Sequence, residues 1–128
     1  MDLTQDELLF FNGCPEALPI YAALRAWALA ELPVRRVRAL KTEIVFDGRR
    51  RLLGVSRLAV RRRAQRPPAW LTVSFCLPYR LDSPRVDAAT EPYPNRWTHH
   101  VLLGGPEELD DQVRGWLREA AAFAEARG

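Results

Sequence analysis

An α+β fold is predicted: a four-stranded, mostly antiparallel sheet covered on one face by an N-terminal and a C-terminal helix. Three observations carry it. Apolar residues recur at three-and-four spacing near both ends of the chain, which marks helices with one buried stripe. Between Val37 and Leu103 the period drops to two, as in strands. Amphipathic helices laid on one side of a sheet are then the simplest packing.

The elements follow in order. Thr4-Gln5-Asp6-Glu7 has capping-box spacing, so a short helix is predicted that stops at Asn12-Gly13. Cys14-Pro15-Glu16 starts a longer one, with a stripe of Ala17, Ile20, Tyr21, Leu24, Trp27 and Ala28, ended by Pro33. Pro19 is placed in its first turn. A first strand is predicted over Val37–Phe46, and Asp47-Gly48 signals a hairpin through the positive φ that glycine accepts. A second strand runs from Arg51 to Val60 and a third from Trp70 to Leu77. Residues 61–68 and 78–95 read as loops because of their prolines. Arg96–Leu103 is the fourth strand. Pro106-Glu107-Glu108 opens the last helix, whose stripe is Leu109, Val113, Trp116, Leu117, Ala120 and Phe123.

Parity assigns the faces. Ile44, Phe46, Val73, Phe75, Trp97 and Val101 point to the core. Lys41, Glu43, Trp70, Thr72, Ser74, Cys76, Thr98 and His100 share the outer face, with Leu102 beside them and His99 on the inner side.

A length of 128 residues and 48% apolar content suit one domain spanning 1–128. Cys14 and Cys76 have no CxxC neighbour and read as free thiols in a reducing compartment. Met1 is followed by Asp2, Asp6 and Glu7 rather than by a basic and then apolar run, so no secretory leader is expected. No apolar stretch approaches the roughly 18 residues of a membrane span. A cytoplasmic protein without a membrane partner is expected.

Charge is unevenly spread. Residues 35–66 carry twelve bases against Glu43 and Asp47, while both ends of the chain are acidic. If the first strand starts beside the end of the second, Arg35, Arg36, Arg38, Arg61, Arg62, Arg63 and Arg66 gather at one end of the sheet. Arg49, Arg50 and Arg51 then lie at the other, about 30 Å away at the usual rise per strand residue. Such a cluster suits phosphates, and so nucleic acid, or an acidic partner protein. It equally suits a solvated rim that pairs with the acidic helices. Trp70 is the one ring near the cluster, which gives little base stacking.

The leading expectation is therefore a small binding or accessory module acting through those arginines, with the 78–95 loop as a second surface. A rival places a small-molecule or enzymatic site on the outer face near Lys41, Tyr93 and His100. Thr72, Ser74 and Cys76 there make a Ser–His or Cys–His pair conceivable, but no nucleophile elbow or third member accompanies them. A third reading is a homodimer through Trp70 and Leu102. No metal is expected, since His99 and His100 point to opposite faces and no third ligand stands at metal spacing. No cofactor is implied.

Phe10-Phe11-Asn12-Gly13-Cys14-Pro15-Glu16-Ala17-Leu18, Lys41-Thr42-Glu43-Ile44-Val45-Phe46, Leu77-Pro78-Tyr79-Arg80-Leu81, Arg96-Trp97-Thr98-His99-His100-Val101 and the closing Glu107-Glu108-Leu109-Asp110 form an ordered series. It resembles the domain of unknown function 5655 family over nearly the whole chain. The resemblance implies a bacterial domain found alone or at the C-terminus of larger proteins, and it transfers no catalytic residue. Cys14 stands where the family would have lysine or another polar residue, which argues against an essential role.

Overall fold

The computed structural model describes residues 2–127; the ends of the predicted domain, Met1 and Gly128, lie outside the described residues. The fold is α+β, with helices flanking an antiparallel sheet. That sheet has six strands rather than four, in the order β1-β2-β3-β4-β6-β5. They are β1 (Arg36–Ala39), β2 (Glu43–Asp47), β3 (Arg51–Ser56), β4 (Leu71–Leu77), β5 (Ala88–Tyr93) and β6 (Arg96–Leu103).

Both extra strands come from stretches read differently in the sequence. The predicted Val37–Phe46 strand folds back on itself at Leu40–Thr42, so that Val37 pairs with Phe46 and Ala39 with Ile44. One continuous strand would put Val37 and Ala39 on the face opposite Ile44 and Phe46. The tight turn brings all four to one side and leaves Leu40 exposed. Within the 78–95 stretch, β5 forms at the sheet edge. Pro92 is tolerated there because an edge strand has one row of unpaired groups, and the register slips between Thr90 and Tyr93. Asn95 turns the chain into β6 with a φ of 60°.

Other boundaries move less. β3 ends at Ser56, not Val60. The 48–50 turn needs glycine for closeness rather than for positive φ, since a Cβ at Gly48 would stand 2.8 Å from the Pro33 carbonyl oxygen. Pro15–Ala17 is a 3-10 turn leading into α2 (Leu18–Glu31), with Pro19 in the first turn of that helix. Pro106–Glu108 is likewise a separate 3-10 turn. The last helix, α3 (Asp111–Ala126), starts after Asp110, whose side chain accepts from the Val113 amide.

The core lies between the inner sheet face and the helices. Tyr21, Leu24, Phe46, Val73, Phe75, Val101, Val113 and Leu117 are fully or almost fully buried there. α1 (Gln5–Phe10) carries the expected capping box between Thr4 and Glu7. The same Glu7 carboxylate turns inward, where Tyr21 donates to its Oε2 and the Arg25 Nε donates at 2.6 Å. A surface cap and a buried ion pair thus share one side chain, tying α1 to α2.

The outer face is half covered. The connection after β3 folds across it: Thr72 donates to the Leu58 carbonyl, and the Arg57 guanidinium stands 4.0 Å above the Trp70 ring. Trp70 and Leu102 are consequently buried within the chain, at 6% and 1% exposure. They offer no surface for a second copy. Among the described residues, no helix is long and apolar enough to cross a membrane.

Candidate ligand pocket on the outer sheet face

The uncovered half of the outer face holds a cavity of about 1060 Å³. Its origin is in the strand pairing. β3 and β4 pair from Ser56–Thr72 to Gly54–Ser74. Beyond that point Leu52, Leu53, Phe75 and Cys76 line the cavity, together with Ala120, Phe123 and Ala124 of α3 and Phe10 of α1. The cavity therefore takes apolar walls from the helix side and a polar floor from the outer face. Ser56, Ser74, Cys76, Thr98 and His100 make up that floor.

Its electrostatics are one-sided. Among the described residues, Lys41, Arg50, Arg51, Arg57, Arg96 and Arg127 line it, against the single carboxylate of Glu43. Glu43 is already engaged, accepting from Arg51 Nη1 at 2.9 Å and Nη2 at 2.7 Å. This bidentate pair lies over Gly54, where an added Cβ would stand 2.2 Å from Arg51 Nη2. In the cross-strand row Gly54 sits beside Ser74, and Ser74 beside His100. The Ser74 Oγ and His100 Nδ1 are 2.7 Å apart. Burial, and then the Arg51 cation, hold the His100 pKa below its ordinary value.

His99 has a different environment. It is fully buried on the inner face, with its ring stacked on Phe75 at 5.3 Å. Its Nε2 accepts the Leu81 amide at 2.9 Å, so that nitrogen carries no proton. Desolvation is the main cause of its lowered pKa. The histidine thus fastens the stretch after β4 to the core, while Asp87 fastens it elsewhere by accepting from Arg61 and from the Leu102 amide. The 78–95 segment is held structure over much of its length.

Of the three residues predicted for a pocket, Lys41 and His100 converge on the cavity. Tyr93 does not line it; the β5 irregularity leaves it 62% exposed, with Arg96 over its ring. The predicted arginine cluster is divided. The turn at Leu40–Thr42 reverses β1, so Arg36 lies beside Asp47 and the Arg51 end of β3. Arg61, Arg62, Arg63 and Arg66 follow the opposite end of β3. Arg36 and Arg38 bind Asp47 at 3.4 and 2.6 Å, and Arg61 binds Asp87 at 2.7 Å. Arg66 packs over Trp70, leaving Arg35, Arg62 and Arg63 in solvent. Sequence reading missed Arg51, Arg96 and the α3 alanines as pocket residues, and Gly54 as the position that Arg51 lies over. A glycine between two strongly apolar strand residues is the one signal that pointed there.

Among the described residues, no group of three His, Cys, Asp or Glu side chains is placed to hold a metal ion. Cys14 and Cys76 are free thiols. Residues 10–124 match the family described as Domain of unknown function (DUF5655). The chain belongs to the DUF5655 family. The matched span of this DUF5655 domain takes in every cavity-lining residue except Arg127. No curated protein and no solved structure matches it.

Proposed function

We propose that this DUF5655 domain binds a small molecule with a negatively charged group and an apolar body in the outer-face cavity. The observation that carries this reading is the cavity's lining among the described residues: six cations, one carboxylate already paired to Arg51, and walls of leucine, phenylalanine and alanine. The volume lies just above the roughly 300–1,000 Å³ of small-molecule sites. Cationic groups around low-dielectric walls favour an anion, and the apolar walls favour a ligand that is more than an inorganic ion. The arginine-surface reading has less support. Its cations are split between two ends of the sheet, and Arg36, Arg38 and Arg61 already face carboxylates.

A thermal-shift series tests it. Octanoate, octyl phosphate, octanol and octylamine share an apolar chain and differ in charge. The anionic pair is expected to stabilise the domain, by about 2.7 kcal/mol at a hundredfold excess over Kd. Equal shifts from all four, or from the amine alone, would contradict the proposal.

A further inference from the structure

We infer that Ser74 and His100 are a nucleophile and its general base, and that the cavity hydrolyses small esters bearing a negative charge. This rests on the ligand reading above and goes beyond it by assigning a reaction. The two side chains are cross-strand partners on β4 and β6, 2.7 Å apart, and both line the cavity. A serine hydroxyl can donate to His100 Nδ1 only while that nitrogen is unprotonated. Burial and the neighbouring Arg51 cation favour the neutral ring, and in its Nε2–H tautomer Nδ1 is the acceptor for the Ser74 hydroxyl. Ser74 therefore has a base in hydrogen-bond contact, the first geometric requirement for activating a hydroxyl.

A third group completes the arrangement. Gly54 is the row neighbour of Ser74 on its other side, and the Arg51 guanidinium lies over it. Glu43 fixes that guanidinium with two hydrogen bonds. A fixed cation beside the nucleophile is what an oxyanion developing on a carbonyl requires. The remaining cavity cations suit the second charge of the substrate.

The reaction balances with water alone. Ser74 Oγ adds to the ester carbonyl carbon as its proton passes to His100 Nδ1, and the carbonyl oxygen becomes an oxyanion beside Arg51. Collapse breaks the bond to the alcohol, which leaves with the proton held by His100. Water then adds to the acyl-Ser74 carbonyl and gives a proton to His100. Ser74 Oγ leaves, regains that proton, and the carboxylic acid is released.

The full chain is treated with a fluorophosphonate and, separately, with the nitrophenyl monoester of succinate. Mass spectrometry is expected to find one phosphonate per chain on Ser74. S74A and H100Q are expected to lower ester hydrolysis at least about a hundredfold while folding normally by circular dichroism. Octanoate binding by thermal shift is read on the same samples. Octanoate binding with no label on Ser74, or hydrolysis by S74A at the wild-type rate, overturns the reaction and leaves the pocket standing. Neither binding nor labelling overturns both.

Discussion

Arg51 owes its place over the sheet to Gly54. A methyl group at 54 would meet its Nη2, the far end of a flexible side chain, so the guanidinium would swing away at little cost. Gly54→Ala is therefore expected to change stability by less than about 1 kcal/mol, because an exposed ion pair contributes little. Octanoate affinity is expected to fall about tenfold, which is 1.4 kcal/mol. Denaturation and binding measured side by side would show it. A large loss of stability with unchanged affinity would place the glycine's role in folding instead.

Glu7 is expected to be a stability residue. Burial raises its pKa, but the Thr4 amide, the Tyr21 hydroxyl and Arg25 outweigh that and leave it lowered overall. Glu7→Gln leaves Arg25 buried beside a neutral group and is expected to cost about 3 kcal/mol in urea denaturation at neutral pH. A change under about 1 kcal/mol would contradict this. The lowered pKa also sets a sign. The contribution is present above the unfolded carboxylate value and is lost as pH falls through the native one.

The two histidines govern a different window. Both have lowered pKa values in the fold, so the unfolded chain takes up protons near 6.5 while the native chain resists them. Stability is expected to be full above that pH and to fall as pH drops below it. For His99, protonation also costs the bond from the Leu81 amide. His99→Gln keeps an acceptor and removes the titration. Between pH 7.5 and 5.5 the decline is expected to lessen in this variant and to vanish in the double variant with His100→Gln. An equal decline in all three proteins would contradict the assignment.

Arg61 and its neighbours separate structure from surface. Arg61 binds the carboxylate of Asp87, which also accepts from the Leu102 amide, whereas Arg62 and Arg63 are exposed. Arg61→Ala is expected to destabilise the domain by about 1.5–3 kcal/mol, as for hydrogen bonds to charged groups. The Arg62→Ala, Arg63→Ala pair is expected to leave both stability and octanoate binding unchanged. If that pair instead abolished a salt-sensitive affinity for labelled DNA or RNA, the nucleic-acid reading would be restored.

Much of this was legible in the chain where a local rule had no competitor. The Thr4–Glu7 cap formed as spaced, and alternation in β4 and β6 put His99 inside and His100 outside. Leu40-Lys41-Thr42 misled because it contains no glycine, proline or asparagine, yet it turns the chain so that Val37 and Ala39 reach the core face. That one turn also moved Arg36 to the other end of the sheet and brought the Arg38 side chain onto Asp47. β5 was hidden by Pro92 and by its exposed edge position. The cavity depends on where β3 and β4 stop pairing, a relation between distant residues that no window along the sequence contains.

The most direct measurement is a fluorescence titration with anilinonaphthalene sulfonate, an apolar body carrying one negative charge. It compares the wild-type chain with Thr98→Trp, which fills the cavity from its floor on β6. The wild type is expected to bind one equivalent that octanoate displaces and octylamine does not, and the tryptophan variant is expected to fold but lose that binding. Equal binding by the two proteins, or a site indifferent to the charge of its competitor, would contradict the account.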